Sequence, residues 1–155
     1  VHVYITVAIN GTLDADAVPA AVEQALAPYG EQRDVIGEDA IATGKWEGWI
    51  VGGRLANSWA ITAHPKLATA RLPRWQWPDH GHGSIARVRD ITATSLTATT
   101  AYIHLDGTWH DSGRLDWQPT IAHDSAAARR WRFDYSAWIT TLPADTWLVL
   151  IDAHR

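Results

Sequence analysis

"TWLVLID", residues 146–152, places five apolar residues in succession before its first charge. A strand with one face in water needs an apolar residue only at every second position. An unbroken run marks a strand covered on both faces, and so one central in its sheet. The segment from His2 to Ile9 behaves differently: Val3, Ile5, Val7 and Ile9 alternate with His2, Tyr4 and Thr6, as in a half-buried strand. The fold is therefore read outward from a sheet built on these two segments.

Helices fill the spaces between strands. "NGTLDAD" turns the chain, and Asp14 or Asp16 can cap a helix that reaches about Tyr29 and ends at Gly30. Its buried stripe is Val18, Ala21, Val22, Ala25 and Leu26, with Pro19 tolerated in the first turn. A second helix starts after Asp124 and runs to about Thr141. Its apolar positions Ala128, Trp131, Tyr135, Trp138 and Leu142 step by three and four, and Pro143 stops it. Trp46 to Leu55 reads as a strand with Gly52–Gly53 as a bend, and Thr99 to Leu105 alternates again before the hairpin signal Asp106–Gly107. Residues 61–83, with three prolines and two late glycines, read as a long loop, and "IARVRDI" fits helix and strand equally.

The order β, α, β, hairpin, α, β predicts one α+β domain over residues 1–155: a ferredoxin-like two-layer sandwich with both helices on one face of a mostly antiparallel sheet. The other face would be left to the long loop, a partner or a ligand, with His2, Tyr4, Thr6, Tyr102 and His104 directed toward it. Trp46 and Trp49, three apart in a plain strand, would point to opposite faces.

Composition narrows the function classes. The net charge of −4 works against an extended nucleic-acid groove. The absence of cysteine excludes disulfides and thiolate chemistry and fits a reducing cytoplasm. No apolar stretch is long enough to span a membrane, and "VHVYITVAIN" does not read as a signal peptide. Ten tryptophans in 155 residues stand out, and so do eleven arginines against two lysines. Tryptophan serves cores and interfaces equally well.

"KWEGWIVGGRLANSW", "GTWHDSGRLDW" and the closing "LIDAHR" resemble, in the same order, a family of small proteins from actinobacterial phages and their hosts. That family carries a "WDWYQIGGRW"-like segment, a "DGxWHExGRMGW"-like segment and a terminal "DxH". Leu55 stands where the family has an aromatic residue after "GGR", and Asp116 where it has a glycine. The resemblance implies a phage accessory protein acting in a bacterial host cytoplasm, and it supplies no mechanism.

Several constellations could carry chemistry. Arg54 and Arg114 each follow a glycine and lie near tryptophans, an arrangement suited to phosphate, carboxylate or a stacked base. The alternative pairs them with carboxylates such as Glu47 or Asp116. With Trp46, Trp49, Trp109, His110, Trp117, Tyr102 and His104 they form the candidate binding set. His80 and His82 could share zinc or another divalent metal if a third ligand such as His110 came near. In "WHDSGR", His110 and Asp111 would face opposite sides, and Asp111 with Ser112 reads as a turn. Asp152 and His154, two apart on the last strand, share a face, so the carboxylate could orient the imidazole.

Three functions follow. The leading one is a non-catalytic accessory protein that binds a host or phage protein through a Trp- and Arg-rich surface, with counter-defence as a use of it; a homo-oligomer is a separate possibility. The others are a binder of a small, nucleotide-like anion and a metal-dependent hydrolase using the loop histidines.

Overall fold

The computed structural model describes residues 2–30, 46–62, 82–94, 98–113 and 125–154. The unbroken apolar run forms β9 (Trp147–His154), and seven of its eight residues are buried. On one side it pairs antiparallel with β1 (His2–Ile9) along the full length of both strands. On the other side β9 pairs antiparallel with β2 (Gly48–Val51) and β5 (Ile85–Arg87). β7 (Ala101–Ile103) pairs with β1 in parallel, and β8 (Trp109–Asp111) completes the sheet in the order β2-β9-β1-β7-β8. A second, three-stranded sheet holds β3 (Trp59–Ile61) between β4 (His82–Gly83) and β6 (Ile91–Thr94). The class is α+β with a mostly antiparallel sheet, as the sequence predicts.

The placement of the helices corrects the expectation. Helix α1 (Val18–Leu26) buries Val18, Val22 and Leu26 against the odd-numbered residues Val3, Ile5, Val7 and Ile9 of β1. Helix α2 (Ala126–Thr141) packs Tyr135 and Trp138, with the following Leu142, against Tyr4, Ala8, Leu148 and Leu150 on the opposite face. The smaller sheet joins that second layer through Trp59 and Ile61. His2, Tyr4, Thr6, Tyr102 and His104 do share a face, but α2 covers much of it.

Strand order supplies the reason. In a ferredoxin-like sheet the two crossovers run in opposite lateral directions between strands of opposite sense, and right-handedness then puts both helices on one face. Here the step β1–α1–β2 spans the inserted β9, whereas β8–α2–β9 moves the same way across the sheet with the strand sense reversed. Right-handed crossovers of that pattern must place their helices on opposite faces. The hairpin causes this by adding outside β1, in parallel with it, and leaving the slot beside β1 to the last strand.

Local signals explain the elements. Ser125 caps α2, its hydroxyl accepting from the Ala128 N–H at 3.1 Å. Asp14 precedes α1 without a side-chain cap bond, and a 3₁₀ turn over Ala15–Ala17 leads into the helix. The hairpin closes with a three-residue loop. His104 N–H donates to the Thr108 carbonyl at 3.0 Å, and Gly107 takes the left-handed position at φ 84°. Of the expected long loop, Ile61 ends β3 and His82–Gly83 forms β4, while residues 63–81 lie outside the described residues.

A hydroxyl network crosses the second layer. Thr6 Oγ1 meets the Tyr135 hydroxyl at 2.7 Å and Thr99 Oγ1 at 2.9 Å, and all three residues are buried. Burial pushes the Tyr135 phenol from 10.0 up to about 12, partly opposed by its bonds to Thr6 and Thr99. Below pH 10 both folded and unfolded chains keep this proton. Between pH 10 and 12 the unfolded chain releases it while the folded one holds it, so stability falls as pH rises. The loss from this group reaches roughly 2 to 3 kcal/mol, and the raised phenols of Tyr4 and Tyr102 act in the same sense. Urea midpoints should drop across this window and drop less in Tyr135→Phe; an unchanged midpoint overturns the assignment.

Candidate functional site

The tryptophans are architecture wherever they are described. Trp46, Trp59, Trp138 and Trp147 are buried, and Trp49, Trp109 and Trp131 are half-buried. Trp46 and Trp49 do not part to opposite faces: both pack in the α1 layer. Trp46 precedes β2, so strand alternation does not govern it. Its ring meets Trp109 at 5.6 Å and Tyr29 at 6.4 Å between centroids. Tyr102 stacks on Trp138 at 3.9 Å with His110 at 4.8 Å on the same ring, while Trp138 Nε1 donates to His104 Nδ1 at 2.9 Å. Asp111 accepts from Trp109 Nε1 and from the Gly113 N–H, so it builds the turn and makes no relay with His110. Trp46, Trp49, Trp109, Tyr102 and His104 of the expected binding set are thus engaged in packing.

Arg54 is the exception, and it marks the site. Gly52 and Gly53 take φ of 74° and 53°, turning the chain out of β2 into a 3₁₀ turn over Gly53–Leu55. Leu55 anchors that turn in the α2 layer. The turn lays Gly53 directly on Asp152, and the Arg54 N–H donates to Asp152 Oδ2 at 2.9 Å. The Arg54 guanidinium lies near enough to the Tyr4 hydroxyl to oppose the rise of that phenol, and its side chain is exposed. Glu47 is not its ion-pair partner, and Asp116 lies outside the described residues.

The other oxygen of Asp152 holds His2. His2 Nδ1 and Asp152 Oδ1 are 2.7 Å apart, with the carboxylate only 4% exposed. A carboxylate only accepts, so Nδ1 carries the shared proton and Nε2 is left for other partners. Sequence reasoning put His154 beside Asp152; the register instead pairs His2 with His154 and Tyr4 with Asp152. The His154 ring stands edge-on to His2 at 5.3 Å. Tyr4 is fixed from behind by Thr100, whose hydroxyl accepts from the Tyr4 N–H and donates to the Tyr4 carbonyl. Burial, and then the Asp152 charge, raise the Tyr4 phenol against the opposing pull of Arg54.

One end of this face is open. Gly48 lies opposite His154 in β2, and a side chain there would meet nothing within 4 Å. Ile50, opposite Asp152, is 45% exposed. His2, Tyr4, Arg54, Asp152 and His154 therefore form a cluster with one buried carboxylate, one guanidinium and two imidazoles beside an apolar platform. No family model, curated protein or solved structure matches the chain. The reading therefore rests on this geometry.

Other candidates are weaker. Among the described residues no three His, Asp or Glu side chains are grouped to hold a metal ion. Arg114, Trp117, His80 and the side chain of His82 lie outside the described residues. The recess along α1, lined by Leu13, Ala20, Ala21 and Gln24, has Glu23 as its one ionisable group and no convergent donors. No helix among the described residues is long and apolar enough to cross a membrane.

Proposed function

We propose that this protein binds a small phosphate-bearing ligand at the sheet end formed by His2, Tyr4, Arg54, Asp152 and His154. One observation carries the reading: a single buried carboxylate fixes both the backbone of Arg54 and the ring of His2, while the guanidinium and the outer imidazole remain exposed. Asp152 thereby preorganises donors it does not neutralise, the arrangement that favours a planar or tetrahedral oxyanion. Ile50 offers the apolar surface for the rest of the ligand, the role the sequence assigned to tryptophan.

A protein-binding role has one supporting feature. Phe133, on the outer face of α2 near Arg129 and Arg130, is 70% exposed. That role accords with the resemblance to phage accessory proteins, but it has lost the tryptophan surface on which it first rested.

Thermal denaturation against inorganic phosphate and a panel of nucleotides separates the two. A ligand at a hundredfold its Kd should stabilise by about 2.7 kcal/mol, which raises Tm by roughly 5 to 10 °C for a domain of this size. Arg54→Ala should remove that shift and Arg54→Lys should keep part of it. No shift with any compound, together with a host protein lost on Phe133→Ser, would establish the second role instead.

A further inference from the structure

The two imidazoles of the site are not equivalent, and this points beyond binding. His2 has a buried carboxylate on Nδ1, which fixes its tautomer and directs Nε2 outward as a base. His154 is exposed, carries no such carboxylate among the described residues, and is flanked by the bare Gly48. The two rings meet edge to face, centroids 5.3 Å apart and planes at 82°, so both border one spot on the surface. Arg54, whose backbone N–H is held by the other Asp152 oxygen and whose guanidinium acts on the Tyr4 phenol, supplies the cation of the same cluster. A general base, a general acid and a cation about one position are the parts of a phosphoryl-transfer site.

We infer that the site cleaves a ribonucleotide phosphodiester, an inference that rests on the phosphate-binding reading above. Such a diester carries its own nucleophile, because the 2′-hydroxyl beside the phosphorus reacts intramolecularly and gains a large effective molarity. His2 Nε2 takes the proton of the 2′-hydroxyl as the O2′–P bond forms. The P–O5′ bond breaks, and the departing O5′ takes a proton from the His154 imidazolium. The products are a 2′,3′-cyclic phosphate and a free 5′-hydroxyl. No atom is gained or lost, no electron is transferred to a co-reactant, and proton exchange with water resets both rings. Asp152 is a positioning residue: it acts through His2 and does not touch the reacting atoms. The net charge of −4 and the small cluster suit a short, di- or oligonucleotide substrate better than a long strand.

The test uses the full chain with uridylyl-(3′→5′)-adenosine, following the cyclic phosphate by phosphorus NMR, with Tm shifts against its 2′-deoxy analogue as the binding readout. Turnover is expected. His2→Ala and His154→Ala should each lower kcat at least tenfold, a larger loss than in the Tm shift, which Arg54 mainly carries. Free imidazole should restore part of the His2→Ala rate, a rescue that no structural role predicts. Asp152→Asn should lower kcat with KM little changed. A Tm shift without cleavage overturns catalysis and leaves binding standing. Neither shift nor cleavage overturns both. Equal rates in wild type and both histidine variants, purified alike, assign the cleavage to another enzyme and overturn the inference.

Discussion

Gly53→Ala should cost roughly 2 to 6 kcal/mol of stability and abolish ligand binding. Two independent penalties meet at this position. The backbone is left-handed at φ 53°, where an alanine is strained. A Cβ there would also sit 2.3 Å from Asp152 Cβ and 2.5 Å from its Oδ2. Asp152 is buried within β9 and cannot move aside without disturbing the central strand. The 3₁₀ turn must shift instead, and the Arg54 N–H then leaves the carboxylate. Gly107→Ala is the matched control, because Gly107 is also left-handed, at φ 84°, but a Cβ there meets nothing within 4 Å. It should show the backbone penalty alone, about 1 kcal/mol. Equal urea midpoints for the two variants would mean that Gly53 does not press on Asp152.

The sequence carried much of this fold because several elements are decided locally. The alternation of β1, the apolar run of β9 and the three-four stripe of α2 depend on residues within a few positions of one another. The structure keeps the run of β9 and the stripe of α2. It forms β1 as a strand but buries both of its faces, Tyr4, Thr6 and Ala8 included, where the alternation predicts a half-buried one. The side of the sheet taken by each helix depends instead on which strand fills the slot beside β1. That is a pairing between the two ends of the chain, and no local period encodes it. Trp46 shows the same limit on a smaller scale, since its face is set by a turn entering β2 and not by spacing within it.

The candidate site was half legible. Arg54 stood out because packing did not account for it, and Asp152 with His154 were recognisable as two residues on one strand face. The bond that organises the site joins His2 to Asp152, 150 positions apart, and the clamp on Arg54 spans 98. Both follow from the antiparallel register of β1 with β9. The histidine singled out beside Asp152 was therefore the wrong immediate partner, although it does border the site. The described tryptophans have a physical reason in the fold: a sheet covered on both faces has two cores to fill.

Trp59→Ala should destabilise the chain by roughly 3 to 5 kcal/mol, and its consequences should reach Arg54. Among the described residues Trp59 is the largest fully buried side chain, at 2% exposure, and it lies in β3, the middle strand of the smaller sheet. It packs in the cluster that also holds Leu55, Leu148, Leu150 and Trp138, so one ring ties the smaller sheet, the 3₁₀ turn and α2 to the main sheet. Removing it leaves a cavity that the surrounding strands cannot close while β9 keeps its pairing with β1 and β2. Leu55 loses packing at the same time, and the turn that presents Arg54 loosens. Native-state hydrogen exchange should accordingly accelerate first in β3 and in the turn, while β1 and β9 remain protected. At a temperature where the variant is still folded, ligand affinity should fall even though Trp59 is not itself one of the site residues. Destabilisation with unchanged affinity would show that the Gly53–Asp152 contact alone holds Arg54 in place, and would move the positioning of the site from the second core to the central strand.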